Sequence, residues 1–255
     1  MTYNSSVDNS DIYYTYDGSF NGLLSVIYTA VYSRIVPIGI APEKDLQFSF
    51  NCRYINVKTD DKKAEKVHRA ISDKIGNFGC RRLYYVFLSS HAQKDIIIYK
   101  YMMLGFKNGN ITNSALADDT VCEAVKIAEN VSRETEKFRQ FTRFYVMENG
   151  VQYARLIPNN NILPILTPFF VKRLGKIPFV LHDPGHNICS VYDTKQWYIT
   201  SSEGINPPKV SDADKDFNAM WKAFFDAISI KERENPRLQK QMMPARYFKY
   251  VWTYK

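Results

Sequence analysis

The dipeptide Asn149-Gly150 constrains the fold of this chain more than any other short stretch. Asparagine and glycine both tolerate the positive φ angles of a tight hairpin turn, and residues 143–148 and 151–157 on either side have the composition of β-strands. The pair therefore predicts a β-hairpin. The hairpin also follows a boundary at Phe141, because the residues before Phe141 mostly follow helical patterns and those after it are mostly short strand-like segments.

The first part of the chain, residues 12–140, is predicted to be mainly helical. After a short strand at residues 12–16, Ser19 is placed to cap a helix whose apolar residues recur at the spacing of one helix face. Prolines and a glycine interrupt the pattern at residues 37–43, and Gly76 is predicted to end a second helix. Further predicted elements are an extended strand at 46–58, helical runs at 83–87, 93–104 and 118–141, and a loop at 105–113.

The middle of the chain, residues 141–200, is predicted to form an antiparallel sheet. A second hairpin is expected around Pro184-Gly185, where a strand at residues 179–183 turns into a strand at residues 187–192. A further strand is expected at residues 197–200. Alternating strands joined by short turns favour antiparallel pairing throughout.

Two helices are predicted beside and after this sheet. One covers residues 162–174 and ends at Gly175, a residue suited to a C-cap. The other begins after Ser211, which with Asp214 resembles a capping box. We expect the apolar residues of this last helix to be buried, namely Phe217, Met220, Trp221, Phe224, Phe225 and Ile228.

Together these elements predict an α+β fold in a single domain over residues 1–255. Its parts are the helical region 12–140, the sheet region 141–200 and a helical, basic C-terminal segment 211–255 packed on the same body. A chain in which 45% of residues are hydrophobic can bury a sizeable core.

Basic charge is concentrated in the last twenty-five residues, 231–255. This segment has seven Lys or Arg and two Glu, so it carries +5 of the formal net charge of +8. Aromatic residues alternate with these cations, and such a mixture can contact both phosphates and exposed bases. Charge of this kind favours an anionic partner such as nucleic acid.

Prolines at positions 236 and 244 divide this segment into two short predicted helices. One hypothesis is that their outward cations contact phosphates while a tyrosine stacks on a base or fixes the register. The alternative is a docked segment with an ordinary solvated basic face and aromatics that belong to the core. The residues predicted to bind nucleic acid are Arg233, Arg237, Lys240, Arg246, Lys249 and Tyr247.

The sequence contains no motif for nucleotide-driven or hydrolytic chemistry. Its four cysteines lie far apart without a CxxC pair, so we expect reduced thiols, no metal and no cofactor. The first residues are polar, and no apolar run approaches the roughly 20 residues that span a bilayer. We therefore expect a cytoplasmic protein without a membrane partner. The cysteines are Cys52, Cys80, Cys122 and Cys189.

Candidate acid and base residues are few. In a two-residue turn Asp183 lies opposite His186 and His182 opposite Asn187, so the two imidazoles point to opposite faces and a shared metal is disfavoured. Asp183 and His186 are expected to stabilise the turn, and they are the weak catalytic candidates. Glu134 and Glu136 are further candidates, but residues two apart on a helix do not share a face. We therefore expect these glutamates to be solvated.

Four segments of the chain resemble a bacterial family of domains of unknown function described as probable DNA metabolism proteins. They are YDGSFNGLL (16–24), VKTDDKKAEKV (57–67), GVQYARLIPNNNILPILTPFF (150–170) and KERENPRLQKQMMPARYFKY (231–250). The chain departs from the family pattern at Phe169, where relatives carry a histidine, and at Phe248, where they carry a tryptophan. The first departure weakens any catalytic role carried over from relatives.

The resemblance implies a context for the chain. Members of the family are encoded beside a radical-SAM protein, and a similar domain is fused in some bacteria to a uracil-DNA glycosylase. We therefore expect an accessory protein that binds DNA and acts with a radical-SAM partner in DNA repair or modification, without catalysis of its own. Two alternatives stay open: an enzyme that processes damaged nucleic acid, and an adaptor that binds only protein.

Overall fold

The computed structural model describes residues 12–46, 52–204 and 209–228, together with residues 235, 237, 238, 241, 243 and 247. Six α-helices and two β-sheets lie in these ranges, which confirms the predicted α+β class. The chain divides into two compact units, unit 1 (Met1–Ser132) and unit 2 (Arg133–Lys255). The expectation of a single domain over residues 1–255 stays a prediction.

Unit 1 is built on a three-stranded sheet of order β2-β1-β3, in which β1 pairs in parallel with both neighbours. Parallel strands need crossover connections, and the first of these is helix α1 between β1 and β2. The elements are β1 (Ile12–Tyr16), α1 (Phe20–Ser33), β2 (Gly39–Pro42), β3 (Arg53–Asn56), α2 (Asp61–Leu88), α3 (Lys94–Asn108) and the start of α4 (Asp119–Phe141), with 3₁₀ helices at Glu43–Asp45 and Gly109–Ser114.

The predicted strand at 12–16 and the cap at Ser19 are confirmed. The Ser19 hydroxyl accepts a hydrogen bond from the backbone N–H of Gly22 at 2.9 Å and so satisfies one donor in the first turn of α1. Strand β2 lies inside residues 37–43, which the sequence presented only as a break. This segment can pair with β1 although it contains a proline, because a short strand with a proline is tolerated at the edge of a sheet.

Two glycines shape the helices of unit 1. Gly76 has φ 83° and ψ 168°, a conformation open essentially to glycine alone, and it bends α2 where the sequence predicted a helix end. Gly105 was predicted to open a loop, and that prediction is wrong because α3 continues to Asn108. A Cβ at Gly105 would clash with the side chain of Ile75, so this glycine permits close packing of two helices.

The core of unit 1 lies between the sheet and the helices. Its fully buried members include Tyr14, Leu23, Leu24, Ile27, Ile71, Ile75, Leu83, Ile98 and Met102. The inward residues that the sequence assigned to the first two helices, such as Leu23 and Ile71, therefore do form the core.

Unit 2 is built on a five-stranded sheet of order β4-β5-β6-β7-β8. Three of its four strand pairs are antiparallel, but β5 and β6 are parallel, so the expectation of purely antiparallel pairing is wrong at that pair. The reason is that α5 forms the crossover between them. The elements are β4 (Tyr145–Val146), β5 (Gln152–Arg155), α5 (Leu163–Leu174), β6 (Phe179–Asp183), β7 (Ile188–Tyr192), β8 (Trp197–Ser201) and α6 (Asp212–Ile228).

Both predicted hairpins are present, but the register of the second differs from the prediction. Asp183 pairs with Ile188 across the ladder, and His182 pairs with Cys189. The turn therefore has four residues, 184–187, and not two. The turn is thus two residues longer than predicted, and its last residue, Asn187, is left-handed with φ 54°.

Helix α6 starts as predicted, since the Ser211 hydroxyl accepts the backbone N–H of Asp214 at 3.3 Å. The prediction that its apolar face is buried is wrong at three positions, whereas the side chains of Trp221, Phe225 and Ile228 lie outside the described part of the structure. Phe217 is 53% exposed, Met220 64% and Phe224 60%. Within the described part of unit 2, no element covers these side chains.

None of the helices in the described ranges combines the length and the apolar character needed to cross a bilayer.

Candidate nucleic-acid interface

A cleft of about 300 Å³ opens in unit 2 at the point where α4, α5 and α6 present their ends. Its walls carry two arginines, Arg143 and Arg173, and its aromatic lining includes the exposed ring of Phe217. The volume is at the lower end of the range for pockets that hold small molecules. The remaining lining residues are Thr142, Phe144, Phe170, Leu174 and Asp214.

Each wall of the cleft follows from a local feature of the sequence. Arg143 comes two residues after the last residue of α4, and Arg173 lies in the last turn of α5, where a cation complements the helix dipole. Phe217 lies in the second turn of α6, beyond the Ser211 cap. Three helix ends thus bring two cations and an aromatic ring into one cleft.

The floor of the cleft is rigid. The ring of Phe144 packs edge-to-face on Phe170 at 5.0 Å between centroids and on Phe179 at 5.7 Å. Phe170 and Phe179 are both fully buried in the core of unit 2. The guanidinium of Arg143 lies 5.5 Å from the ring of Tyr145. These contacts hold the aromatic wall in place before any ligand arrives.

Arg173 is the most available cation of this cleft. Its side chain is exposed, and within the described ranges no ion pair or hydrogen bond includes it. The Asp214 carboxylate also lines the cleft, so the anion-binding character is concentrated on the arginine side. A guanidinium beside aromatic rings is the pairing that proteins use for a phosphate next to a base.

The C-terminal basic segment is anchored to unit 2 by Tyr247. This residue is only 2% exposed, and its ring lies 5.2 Å from Phe138 and 6.1 Å from Phe141 on α4. The ammonium of Lys137 lies 5.7 Å from the same ring. Because protein encloses the ring of Tyr247, the ring cannot stack on a base. Tyr247 is therefore a core residue, which was the alternative to base stacking in the sequence analysis.

The other residues predicted to bind nucleic acid divide into two groups. Arg237 is exposed. The side chain of Asn235, which precedes Pro236 in the sequence, accepts a hydrogen bond from the backbone N–H of Leu238 at 3.0 Å, as an N-cap residue does. Outside the described residues lie Arg233, Lys240, Arg246 and Lys249, and so does Phe248.

A second polar cluster surrounds the turn after β6. Asp183 is fully buried, and its Oδ1 accepts the backbone N–H groups of Gly185 at 3.0 Å and His186 at 3.3 Å. Its Oδ2 lies 2.7 Å from Nδ1 of His186, which confirms the predicted pairing. All of these bonds lie within one turn, so they fix its shape.

Glu134 on α4 belongs to the same cluster, and the expectation that it is solvated is wrong. It is 4% exposed and accepts hydrogen bonds from the backbone N–H groups of Asn159 and Asn160, each at 3.0 Å, and from the Asn160 side chain at 2.6 Å. A carboxylate with three donors is stable when buried. No local sequence pattern predicts these hydrogen bonds of Glu134, because their donors lie about 25 residues further along the chain.

The electrostatics of the cluster favour a charged histidine. The hydrogen bond that the His186 ring donates to Asp183 raises the pKa of His186, and the nearby Glu134 and the backbone of Asn159 act in the same direction. In contrast, burial lowers the pKa of His182, whose Nδ1 lies 2.5 Å from the Tyr153 hydroxyl. The raised pKa favours the protonated form of His186, whose ring contacts Asp183 and the backbone of Asn159.

This arrangement stabilises structure better than it performs catalysis. A general base needs a ring nitrogen that can reach a substrate, whereas the ring of His186 bonds Asp183 and the backbone of Asn159. Among the described residues, no group of three or more His, Cys, Asp or Glu side chains is arranged to hold a metal ion. The four cysteines are free thiols, and only Cys189 among them is buried.

The sequence did not point to the cleft. Arg143 and Arg173 are thirty residues apart, so neither belongs to a motif with the other. Phe169 lies beside this region, with its ring 5.1 Å from Phe170 and 5.3 Å from the guanidinium of Arg139.

The described residues form an α+β fold with a cleft lined by two arginines, one aspartate and three phenylalanines, among others. Residues 92–252, more than half of the chain, match the family described as Domain of unknown function (DUF4130), and the chain belongs to this family. The match starts after the 16–24 and 57–67 segments of unit 1. Comparison with curated proteins finds no match.

Proposed function

We propose that this protein binds DNA through its C-terminal basic segment and the adjoining cleft of unit 2, as an accessory factor in DNA metabolism. Tyr247 carries the proposal, because it anchors the basic segment on Phe138 and Phe141, directly before Thr142 and Arg143 of the cleft. In this proposal, cations of the basic segment and of the cleft contact several phosphates of the DNA.

The local charge supports this proposal. In the sequence, Arg246 precedes the anchor and Lys249 follows it by two residues. Five of the eight net charges belong to the segment 231–255. A buried aromatic anchor flanked by cations positions a basic segment without using the aromatic ring for recognition.

The enzyme alternative has less support. Its named residues, Asp183 and His186, are engaged with each other and with the backbone of their own turn. Incubation of the protein with damaged oligonucleotides tests this alternative directly. Turnover by the protein alone that is lost in Asp183→Asn, while the variant keeps its fold, would show that catalysis belongs to this chain.

Charge reversal tests the DNA-binding proposal. We expect the variant with Arg237, Lys240, Arg246 and Lys249 changed to Glu to lose salt-dependent DNA binding, since each lost phosphate contact lowers the slope of log affinity against log salt by about 0.9. The matched control reverses four exposed lysines of unit 1 and should keep the slope. These are Lys58, Lys62, Lys107 and Lys126. Unchanged slopes in both variants would contradict the proposal.

The partner is proposed from the family resemblance: a radical-SAM protein, with a uracil-DNA glycosylase as a further associate. Co-purification of the radical-SAM protein with this chain, in the presence and absence of nuclease, tests the partnership. Capture that survives nuclease but is lost with the reversed tail places the partner on the basic segment. Capture that is insensitive to both changes, in a chain that does not bind DNA, supports the adaptor alternative.

A further inference from the structure

We infer that the cleft holds a single unstacked nucleobase together with its phosphate, so that the protein prefers single-stranded or locally opened DNA to an intact duplex. This inference rests on the proposed function and names the form of DNA that the interface selects. It is drawn from the chemistry of the cleft walls, which differ from those of a surface that contacts only a duplex backbone.

The first observation is the size and shape of the cleft. About 300 Å³ is enough for a group of the size of one nucleotide and is far too small for a duplex. A base inside a duplex is stacked on both sides, so only an unstacked base can enter such a space. The cleft therefore selects a base that has left the helix.

The second observation is the aromatic lining. Phe144 is held by the buried rings of Phe170 and Phe179, so it forms a fixed wall. Phe217 leaves 53% of its surface exposed, although its side chain is large and apolar. An exposed phenylalanine beside a fixed aromatic wall is suited to stacking on a base, which every base permits through its π-face.

The third observation is the placement of charge. Arg173 is exposed at the same cleft, in the last turn of α5, and can reach the phosphate that flanks a stacked base. The Asp214 carboxylate on the wall contributed by α6 disfavours a phosphate at that wall. The two charges therefore orient a nucleotide with its phosphate towards Arg173.

Matched substitutions on one helix test the stacking role. We expect Phe217→Ala to weaken binding of a fluorescein-labelled single strand of about 15 nucleotides roughly ten-fold, and to leave binding of the matching duplex unchanged. Phe224→Ala is the control, because Phe224 is also on α6 and 60% exposed but does not line the cleft. The measurement is fluorescence anisotropy at fixed salt.

A second pair tests the phosphate contact. Arg173→Gln should lower the salt slope for the single strand by about 1, whereas the neighbouring exposed Lys172→Gln should change it less. A strand with one 2-aminopurine reports entry of the base, because stacking on neighbouring bases quenches its fluorescence and unstacking relieves the quenching. The resulting increase in fluorescence should be lost in Phe217→Ala and kept in Phe224→Ala.

The outcomes separate the two proposals. If the wild-type protein binds neither single strand nor duplex, the proposed function fails. If it binds DNA in a salt-dependent manner but Phe217→Ala and Phe224→Ala behave alike, or the duplex binds as tightly as the single strand, only the cleft inference is overturned. Selective loss of single-strand binding in Phe217→Ala supports both.

Discussion

The buried carboxylates of the two units differ in how many hydrogen-bond donors surround them. In unit 2, Glu134 is 4% exposed and accepts three hydrogen bonds from Asn159 and Asn160. In unit 1, Asp95 near the start of α3 is 3% exposed, yet its Oδ1 has no hydrogen-bond partner, and neither has the buried hydroxyl of Tyr16. The two groups affect each other electrostatically at a separation longer than a normal hydrogen bond.

The difference teaches what a buried charge contributes in each case. Burial without enough donors raises the pKa of Asp95 to about 6, although Lys94 and the Tyr16 hydroxyl act in the opposite direction. Glu134 instead fixes the backbone of a loop that no regular secondary structure holds. Burial of a carboxylate therefore stabilises the folded state of unit 2 and destabilises that of unit 1.

The largest effect is expected for Glu134→Ala. The change leaves two backbone N–H groups without their acceptor and removes a charge near His186, so we expect a loss of about 4 kcal/mol in the stability of unit 2. Urea unfolding followed by tryptophan fluorescence measures it, since Trp197, Trp221 and Trp252 all belong to unit 2.

The control for this change is Glu136→Ala. Glu136 lies on the same helix and forms a surface ion pair with Arg139 at 3.2 Å, which contributes less than about 1 kcal/mol. Equal losses in the two variants would show that the three hydrogen bonds of Glu134 do not stabilise the loop.

Asp95→Asn tests the opposite case, with an expected gain of about 2 kcal/mol at pH 8. Because the pKa of Asp95 is raised from 3.8 to about 6 on folding, the wild type loses stability as the pH rises through this interval, and the loss persists above it. At pH 4 the gain should be small. Hydrogen exchange of α1 amides in unit 1 reports the change.

Asp73→Asn is the comparison for that measurement, because Asp73 is an exposed carboxylate of α2 in the same unit. A gain of similar size there, or a gain at Asp95 that does not depend on pH, would mean that desolvation of the carboxylate is not the cause.

Sequence patterns predicted the elements whose signals are local. The cap at Ser19, the turn at Asn149-Gly150 and the end of α5 at Gly175 each depend on residues within one turn, and all three are confirmed. The length of the turn after Asp183 was wrong, because Asn187 adopts a left-handed conformation that the Pro-Gly pair did not reveal.

Contacts between distant parts of the chain could not be predicted in this way. The parallel pairing of β5 with β6 depends on where the α5 crossover returns, and the burial of Glu134 depends on donors about 25 residues away. The cleft likewise requires Arg143, which follows α4, and Arg173 of α5 to line the same space. The periodicity of apolar residues describes one helix or strand at a time, so it contains no information on contacts between distant elements.

His186→Gln should have an intermediate effect that depends on pH. The pKa of His186 is raised above 6.5 by Asp183, so its contribution is fully present below pH 6.5 and is lost as the pH rises through the raised value. We expect a loss of about 1.5 kcal/mol at pH 6 and a smaller one at pH 9. His68→Gln, at an exposed histidine of unit 1, serves as the control.

The smallest effect is expected for Gly150→Ala in the hairpin of unit 2. Gly150 has φ 79°, and a Cβ added there would meet no atom within 4 Å, so the cost is that of the backbone conformation alone, about 1 kcal/mol. Gly150→Asn should cost less, because asparagine tolerates a positive φ. Tryptophan fluorescence in urea measures both variants, and equal losses would mean that the side chain and not the left-handed backbone sets the cost.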